Sequence, residues 1–444
     1  MNILGELSPS IIAFVGSILF LGYVSRKRKI GGLSLYWVFG AFQCLYNLMP
    51  WLVSRTDIQF FQLLSDQHVV DLQVLLASAS NVFFGLVFLL TYESVPLDLL
   101  AEPGGRKRRN FVVLTIPVFL VACLVCAKYG WRQLTIEQPG QQPTGMYSVA
   151  IDAKLICASI YLYYLSRFGL DRWAWVLFAE HAILMAIDNA RTTFLPLAVL
   201  TLFLYAARIG KTKNKRTYVL ALSLALASVG VRALFMGGES LIVDFSLPIM
   251  VEGTMGSYPS LQAIYAIEHK VNQGFTYGAS YVIDPIVWFF PHGELRENSI
   301  FFKAWTSKIA SGIPDDFAPW GGFYYISEAV AAFSYLGPPI ITTLFAVAIV
   351  WFEKVKNKYP MLYMAWVSTI GVLFVKTVFA GIVKVFIIQL GVMYCLAAIH
   401  QLRVLLAHPV HSTPGESQLS SRLRKNSIGS GRSTRKHSCF HSTT

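Results

Sequence analysis

Charge is in short supply: charged residues fill 14% of the 444 positions, where a soluble globular chain carries about a quarter. A soluble fold built from this chain would leave far too much apolar surface in water, so that class is excluded. Acidic residues are the scarcer sign, 24 Asp and Glu against 37 Lys and Arg, for a net charge of +13. The basic residues fall in clusters between apolar runs instead of forming one basic surface, which argues against nucleic acid as a partner. Cysteine is sparse as well. The six are Cys44, Cys123, Cys126, Cys157, Cys395 and Cys439, and their placement implies no disulfide framework. Cys123 and Cys126 are separated by Leu124 and Val125 within an apolar run, so they read as small buried hydrophobes, not as a redox or metal motif. Also missing are G-x-x-x-x-G-K-[ST], H-E-x-x-H, G-x-S-x-G and the dinucleotide glycine pattern. ATP-driven transport and the common soluble enzyme chemistries are left without a signature.

What is abundant is hydrophobic sequence, 55% of residues with a mean hydropathy of +0.53. Apolar runs of about 18 residues or more recur, each long enough to cross a hydrocarbon core about 30 Å thick. The first, Ser8 to Val24, is followed by Arg26-Lys27-Arg28-Lys29 and has no small-residue cleavage pattern, so it is expected to be retained as a helix. Placing each Lys/Arg cluster on the cytoplasmic side gives an all-α polytopic membrane protein of about eleven transmembrane helices. The N-terminus lies outside and the C-terminus inside.

In this reading helix two covers Leu33 to Val53 and helix three Leu72 to Tyr92. Arg106-Lys107-Arg108-Arg109 is inside. Helix four, Phe111 to Lys128, returns outward, and helix five comes back to Arg167 and Arg172. Helices six and seven, Trp173 to Asp188 and Thr192 to Ala207, form a hairpin around Asp188-Asn189-Ala190-Arg191. Helix eight, Tyr218 to Phe235, leads into a large outer loop near residues 237–322. Helix nine runs from Ile326 to Phe352, and helices ten and eleven meet around Ala380-Gly381. The membrane domain is residues 1–408, including that outer loop; residues 409–444, rich in Ser, Arg, Lys and Gly, are expected to be a disordered basic cytoplasmic tail. Within the outer loop, Leu261, Ile264, Ile267 and Val271 repeat near helical spacing, as in an amphipathic helix lying on the membrane or packed on the bundle. The turn-rich aromatic segments after it read as a cap over a cavity.

Charged groups in or at the ends of spans mark functional sites more often than charges elsewhere, and few are present. Arg191 follows Asp188 by three residues. Arg232 lies near the outer end of helix eight with Glu239 just beyond it, Glu328 begins helix nine, and Lys376 and Lys384 flank the last outer turn. One reading has guanidinium groups converging on an anionic ligand at the outer face, where the arginine fork suits phosphate oxygens. The other has Arg191 pairing with Asp188, Arg232 pairing with Glu239, and the lysines snorkelling to the interface. In the loop, Pro291-His292-Gly293-Glu294-Leu295-Arg296 offers an imidazole and a guanidinium, and Asp315-Asp316 reads as a solvated turn.

Three segments, in order, resemble the bacterial O-antigen polymerase family, the Wzy-type polysaccharide repeat-unit polymerases. The first is Asn189-Ala190-Arg191-Thr192-Thr193. The second is Tyr277-Gly278-Ala279-Ser280-Tyr281 leading to Asp284-Pro285-Ile286-Val287-Trp288 and Pro291. The third is Ala318-Pro319-Trp320-Gly321-Gly322-Phe323, followed by Glu328, Phe333 and Leu336-Gly337. Two features depart from the family pattern: the spacing from Phe333 to Gly337 is longer, and His292 to Arg296 stands where members carry a basic residue close to the proline.

The resemblance implies an inner-membrane glycosyltransferase that moves a growing chain from undecaprenyl diphosphate to the terminal sugar of a new lipid-linked repeat unit. Arg191, Arg232 and Arg296 would then stabilise the diphosphate leaving group, and Glu328 or His292 would serve as base for the acceptor hydroxyl. No cofactor is implied, because arginines holding the diphosphate leave no need for a divalent metal. Besides the lipid bilayer and the lipid-linked glycan, the resemblance implies a chain-length-regulating co-polymerase as partner. Two alternatives share much of this charge inventory: an O-antigen ligase and a lipid-linked glycan flippase. A flippase is expected to carry internal repeats and charges near the bilayer midplane, and no repeat is visible.

Overall fold

The computed structural model describes residues 8–31, 34–55, 62–95, 105–130, 145–188, 191–209, 246–270, 275–289, 300, 324–375 and 378–407. Among these, every regular element is helical. Six stretches are long and apolar enough to cross a membrane: Pro9–Lys27, Gln67–Thr91, Arg108–Tyr129, Val149–Phe168, Tyr325–Val355 and Phe379–Arg403. That is short of the expected count of about eleven. One reason is that the expected helix eight lies outside the described residues. Another is that some bundle helices are less uniformly apolar, or, like the apolar stretch Phe194–Ala206, too short. The chain divides into two compact units, Met1–Tyr394 and Cys395–Thr444. The second is described only over its helical residues to Ala407, and its tail from 409 lies outside the described residues.

In the first unit, α1 (Pro9–Lys27) starts at a proline in its first turn and ends with Arg26 and Lys27 against the negative end of the helix dipole. The helix α2 is Leu35–Val53, and α3 (Gln67–Thr91) is capped by Asp66, whose carboxyl accepts the Val69 N–H at 3.2 Å. α1 and α3 run antiparallel. At one end Ser8 and Ser10 donate to Asp71 (3.0 and 2.6 Å), midway Asn81 donates to Ser17 (3.0 Å), and at the other Arg28 donates to the Leu89 carbonyl (2.6 Å). These contacts define an upper end, holding Ser8 and Asp66, and a lower end, holding Arg28 and Tyr92. The outward faces are apolar: Leu19, Val82, Phe83 and Leu90 are exposed while Gln43, Asn47, Gln73 and Asn81 are buried. This inside-out distribution suits a bilayer solvent, where polar groups must find partners within the protein.

Three helices follow: α4 (Gly105–Tyr129), α5 (Gly145–Phe168) and α6 (Arg172–Asp188). Asp171 ties them together, accepting the Trp173 and Ala174 N–H groups at the start of α6 (2.9 and 3.0 Å), the Tyr164 hydroxyl (2.9 Å) and Arg108 (3.1 Å). Cys126 is buried with Ala122, Ala150 and Leu184, in keeping with its reading as a small hydrophobe. Then comes α7 (Arg191–Ile209), which opens at Arg191.

The segment expected to begin the outer loop contains α8 (Ser246–Glu268), a helix of 23 residues. It lies along α2 and α3 within the bundle. Glycine makes that approach possible: a Cβ at Gly253 would stand 2.6 Å from the Leu45 carbonyl oxygen, and one at Gly256 would stand 2.2 Å from the Tyr46 ring. The periodic residues Leu261 and Ile264 are fully buried, so of the two positions open to this helix, the structure has it packed on the bundle. At its upper end Glu268 accepts from Tyr335 and lies 3.3 Å from His68.

The expected single helix from Ile326 to Phe352, like the apolar stretch Tyr325–Val355 that contains it, is two helices joined by a reversal. α10 (Tyr325–Phe333) ends at Ser334, whose φ of 56° and ψ of −146° break the helix, and α11 (Gly337–Val355) runs back down beside it. Two contacts fix the reversal: a Cβ at Gly337 would stand 1.8 Å from the Ala329 carbonyl oxygen, and Thr342 donates to the Tyr325 hydroxyl at 3.0 Å. Eight to nine residues separate Tyr325 from the turn, so α10 begins about 13 Å below the upper end. A second hairpin stands beside this one. α12 (Pro360–Trp366) continues through a π-helical turn, Val367–Gly371, and the chain then turns into α13 (Phe379–Ala407). Ser368 and Gln389 meet across this hairpin at 3.0 Å.

Candidate functional site

The site is assembled where the two hairpins meet. Tyr324 and Tyr325 enter the bundle at depth and would each leave a phenol in an apolar interior. Polar residues of α2 receive them: Asn47 donates to the Tyr324 hydroxyl (2.8 Å) and Gln43 to that of Tyr325 (2.9 Å). Gln73 of α3 extends the network to Asn47 (3.3 Å) and to the Tyr46 carbonyl (3.0 Å), and Ser260 of α8 donates to Gln73 (2.7 Å). Each such bond adds about 0.5–1.5 kcal/mol, and leaving one of these groups unpaired costs about 1–3 kcal/mol. The network therefore fixes the start of α10, helped by the Tyr325 N–H donating to the Val375 carbonyl (3.2 Å).

One turn above Tyr325 is Glu328, 3% exposed. Its Oε2 accepts the N–H of Phe379 at 2.9 Å, the first residue of α13 and thus one of the unpaired donors of a helix N-terminus. Its Oε1 has no hydrogen-bond partner among the described residues. Beside it lies α9 (Ala279–Phe289), which carries Tyr281 and Asp284. The Tyr281 ring centroid is 5.2 Å from that of Phe379, and its hydroxyl also lacks a partner among the described residues. Tyr281 stands near enough to the Glu328 carboxyl to interact with it electrostatically. Asp284 is buried, accepts the Ile300 N–H at 2.6 Å and stands near enough to Glu328 to interact with it electrostatically.

α9 is held to α10 by its first turn. The Thr276 N–H donates to the Ala331 carbonyl (3.1 Å), and Gly278, with φ +79°, lies so close to Phe333 that a Cβ there would stand 2.5 Å from the ring. The exposed residues of α9 are apolar (Val282, Ile283, Ile286), while Ser280 and Asp284 are buried toward the protein. A helix of this polarity is suited to lie at membrane depth with its polar side toward a protein interior.

Of the residues singled out in the sequence, Glu328 is therefore at a buried junction with one oxygen free. Arg191 opens α7; the sequence readings of Arg232, Glu239, His292, Arg296, Lys376 and Asp315-Asp316 lie outside the described residues. Lys384 is half-buried on α13, near enough to Asp152 on α5 to interact with it electrostatically. Tyr281 and Asp284 were present in the sequence as parts of a pattern without a role. Lys154 is buried on α5, and its signal in the sequence is a lysine inside an apolar run. Compared with known proteins, the chain matches no protein-family model, no curated protein and no solved structure.

Proposed function

We propose that this chain polymerises undecaprenyl-diphosphate-linked oligosaccharide repeat units, of O-antigen or a related surface polysaccharide, at the periplasmic face of a bacterial inner membrane. The observation that carries the reading is the meeting of two segments of the resemblance: Gly278, Tyr281 and Asp284 from one stand against Glu328 and Phe333 from the other. The lower end, with Arg26 to Lys29 and Lys354 to Lys358, is cytoplasmic in this reading, and the upper end faces the periplasm.

The chemistry follows from the free Oε1. Glu328 takes the proton of the acceptor sugar hydroxyl as that oxygen bonds to the anomeric carbon of the growing chain. The bond from that carbon to the diphosphate breaks, and undecaprenyl diphosphate leaves with the electron pair. Arg191, Arg232 and Arg296 stabilise the charge that develops on the diphosphate, and His292 is the second candidate base. A membrane co-polymerase sets chain length.

The test is a gel of surface polysaccharide from a deletion strain complemented with wild type or with Arg191→Ala, with membrane protein level measured in parallel. A ladder from wild type and a core bearing a single repeat unit from the variant, at equal protein level, is the expected result. A deletion strain that keeps its full ladder removes the polymerase reading, and one that lacks even the single capped repeat points to a ligase or flippase.

A further inference from the structure

A cavity of about 440 Å³ opens beside the site, lined by Tyr281 and Phe333 at its upper end, by Ile341, Leu344 and Ala348 along α11, and by Trp366 near its floor. Its volume falls within the roughly 300–1,000 Å³ of small-molecule sites, and its wall is almost wholly apolar. From Ile340 to Ala348 it follows α11 for about 12 Å. The cavity is not sealed from the bilayer. Ile340 and Leu344 on its rim are exposed, at a level where an outward apolar face meets hydrocarbon.

Two features separate this cavity from an ordinary gap between helices. Its far wall includes Ile370 in the π-helical turn Val367–Gly371, a local widening of the kind that recurs at functional sites. Its upper end is formed by Tyr281 and Phe379, and Phe379 is the residue whose N–H donates to Glu328, so the cavity ends against the candidate site. A ligand that fills the apolar part and extends past Tyr281 and Phe379 toward Glu328 must be amphipathic, with its polar end uppermost.

We infer that this lateral cavity seats the isoprenoid chain of the lipid-linked glycan, with the chain entering from the bilayer between Ile340 and Leu344 and its head group turned up toward Tyr281 and Glu328. The inference rests on the proposed function for its choice of chain. Ordinary glycerophospholipid in the same place is the competing occupant that the experiment must tell apart.

The full chain is reconstituted in liposomes with a polyprenyl phosphate bearing a diazirine in its chain, or with diazirine-tagged phosphatidylglycerol, then irradiated and mapped by mass spectrometry. The polyprenyl probe should label α11 and the 366–374 segment, and excess untagged polyprenyl phosphate should suppress that labelling while phosphatidylglycerol does not. Ala348→Trp fills the cavity and should lower labelling about tenfold, equivalent to about 1.4 kcal/mol of binding. Val347→Trp, on the exposed neighbouring position outside the lining, should leave it unchanged. Equal labelling by the two probes, or none by the polyprenyl probe in the wild-type protein, overturns the inference without any variant. The two proposals fail separately: labelling can persist if the deletion strain keeps its ladder, and the ladder can depend on this chain if the cavity is never labelled.

Discussion

On the proposed reading Glu328 does two jobs, and substituting it by glutamine or by alanine separates them. Its Oε2 holds the Phe379 N–H at 2.9 Å, and its Oε1, without a partner among the described residues, is the oxygen proposed to face the acceptor hydroxyl. In Glu328→Gln the side-chain oxygen still accepts the Phe379 N–H. What changes is one carboxyl oxygen replaced by an amide nitrogen, so the Phe379 bond is kept and the cost to folding is small, within about 1 kcal/mol. Protein level and melting temperature should stay close to wild type. A glutamine cannot take a proton, however, and losing a general base slows chemistry by about 10²–10⁴-fold, enough to erase the polysaccharide ladder. In Glu328→Ala the Phe379 N–H loses its acceptor as well, costing about 1–3 kcal/mol for a buried unpaired donor before any cavity is counted. That variant should therefore show a lower protein level in addition to the missing ladder. Thermal unfolding in detergent and the polysaccharide gel, run on both variants, check the two effects independently. A glutamine variant with a normal ladder at normal level refutes the base, and one that unfolds as readily as the alanine variant refutes the separation.

Two further outcomes test the scaffold around the site. Gly337→Ala puts a methyl 1.8 Å from the Ala329 carbonyl oxygen, a backbone atom that cannot rotate away, so it should cost about 3 kcal/mol or more in thermal unfolding. Gly391→Ala, in α13 with nothing within 4 Å, is the matched control and should be neutral or gain up to about 1 kcal/mol of helix propensity. Tyr335→Phe tests the upper latch. The hydrogen bond from Tyr335, first, and His68, second, hold the Glu268 carboxyl below its usual range. A depressed folded-state value stabilises above the unfolded pKa of about 4.3 and loses that contribution as pH falls through the folded value. The wild-type advantage in melting temperature should thus be present at pH 7 and vanish below about pH 4. It should also be small, under about 1 kcal/mol, because Glu268 is exposed and screened.

Much of the fold could be read from the sequence where one element met one physical rule. The run ending in Arg26 to Lys29 became α1, the run through Leu76 and Phe88 became α3, and Glu328 drew attention as an acid inside an apolar stretch. The rest was hidden for identifiable reasons. α8 buries Gly253, Gly256, Ser257 and Ser260 against its neighbours, and in sequence those small and hydroxyl residues have the composition of a loop. The reversal between α10 and α11 rests on Ser334 in the left-handed region, where a non-glycine residue gives no warning. Hydropathy adds both arms of that hairpin into one span. Tyr281 and Asp284 were legible as letters of a pattern, but only the fold reveals that they face Glu328, because more than forty residues separate them along the chain.

The depth of the two chain interruptions ties structure to chemistry. A helix that starts among buried apolar residues exposes backbone donors that no water can satisfy, so beginning α13 at Phe379, between buried Val378 and Ala380, demands an acceptor from elsewhere in the protein. Glu328 is that acceptor, carried there by a helix that itself starts at depth and is anchored by Tyr324 and Tyr325. A neutral acceptor such as a serine hydroxyl would have met the backbone's need. A carboxyl group meets it with one oxygen and leaves a second, buried beside a tyrosine hydroxyl, with nothing in the described structure to bond. An unpaired buried oxygen costs about 1–3 kcal/mol. A fold that needed only the Phe379 contact had a less costly residue to use, and the proposed function gives the spare oxygen of Glu328 its ligand, so a Glu328→Gln variant with a normal ladder would leave that cost without a reason.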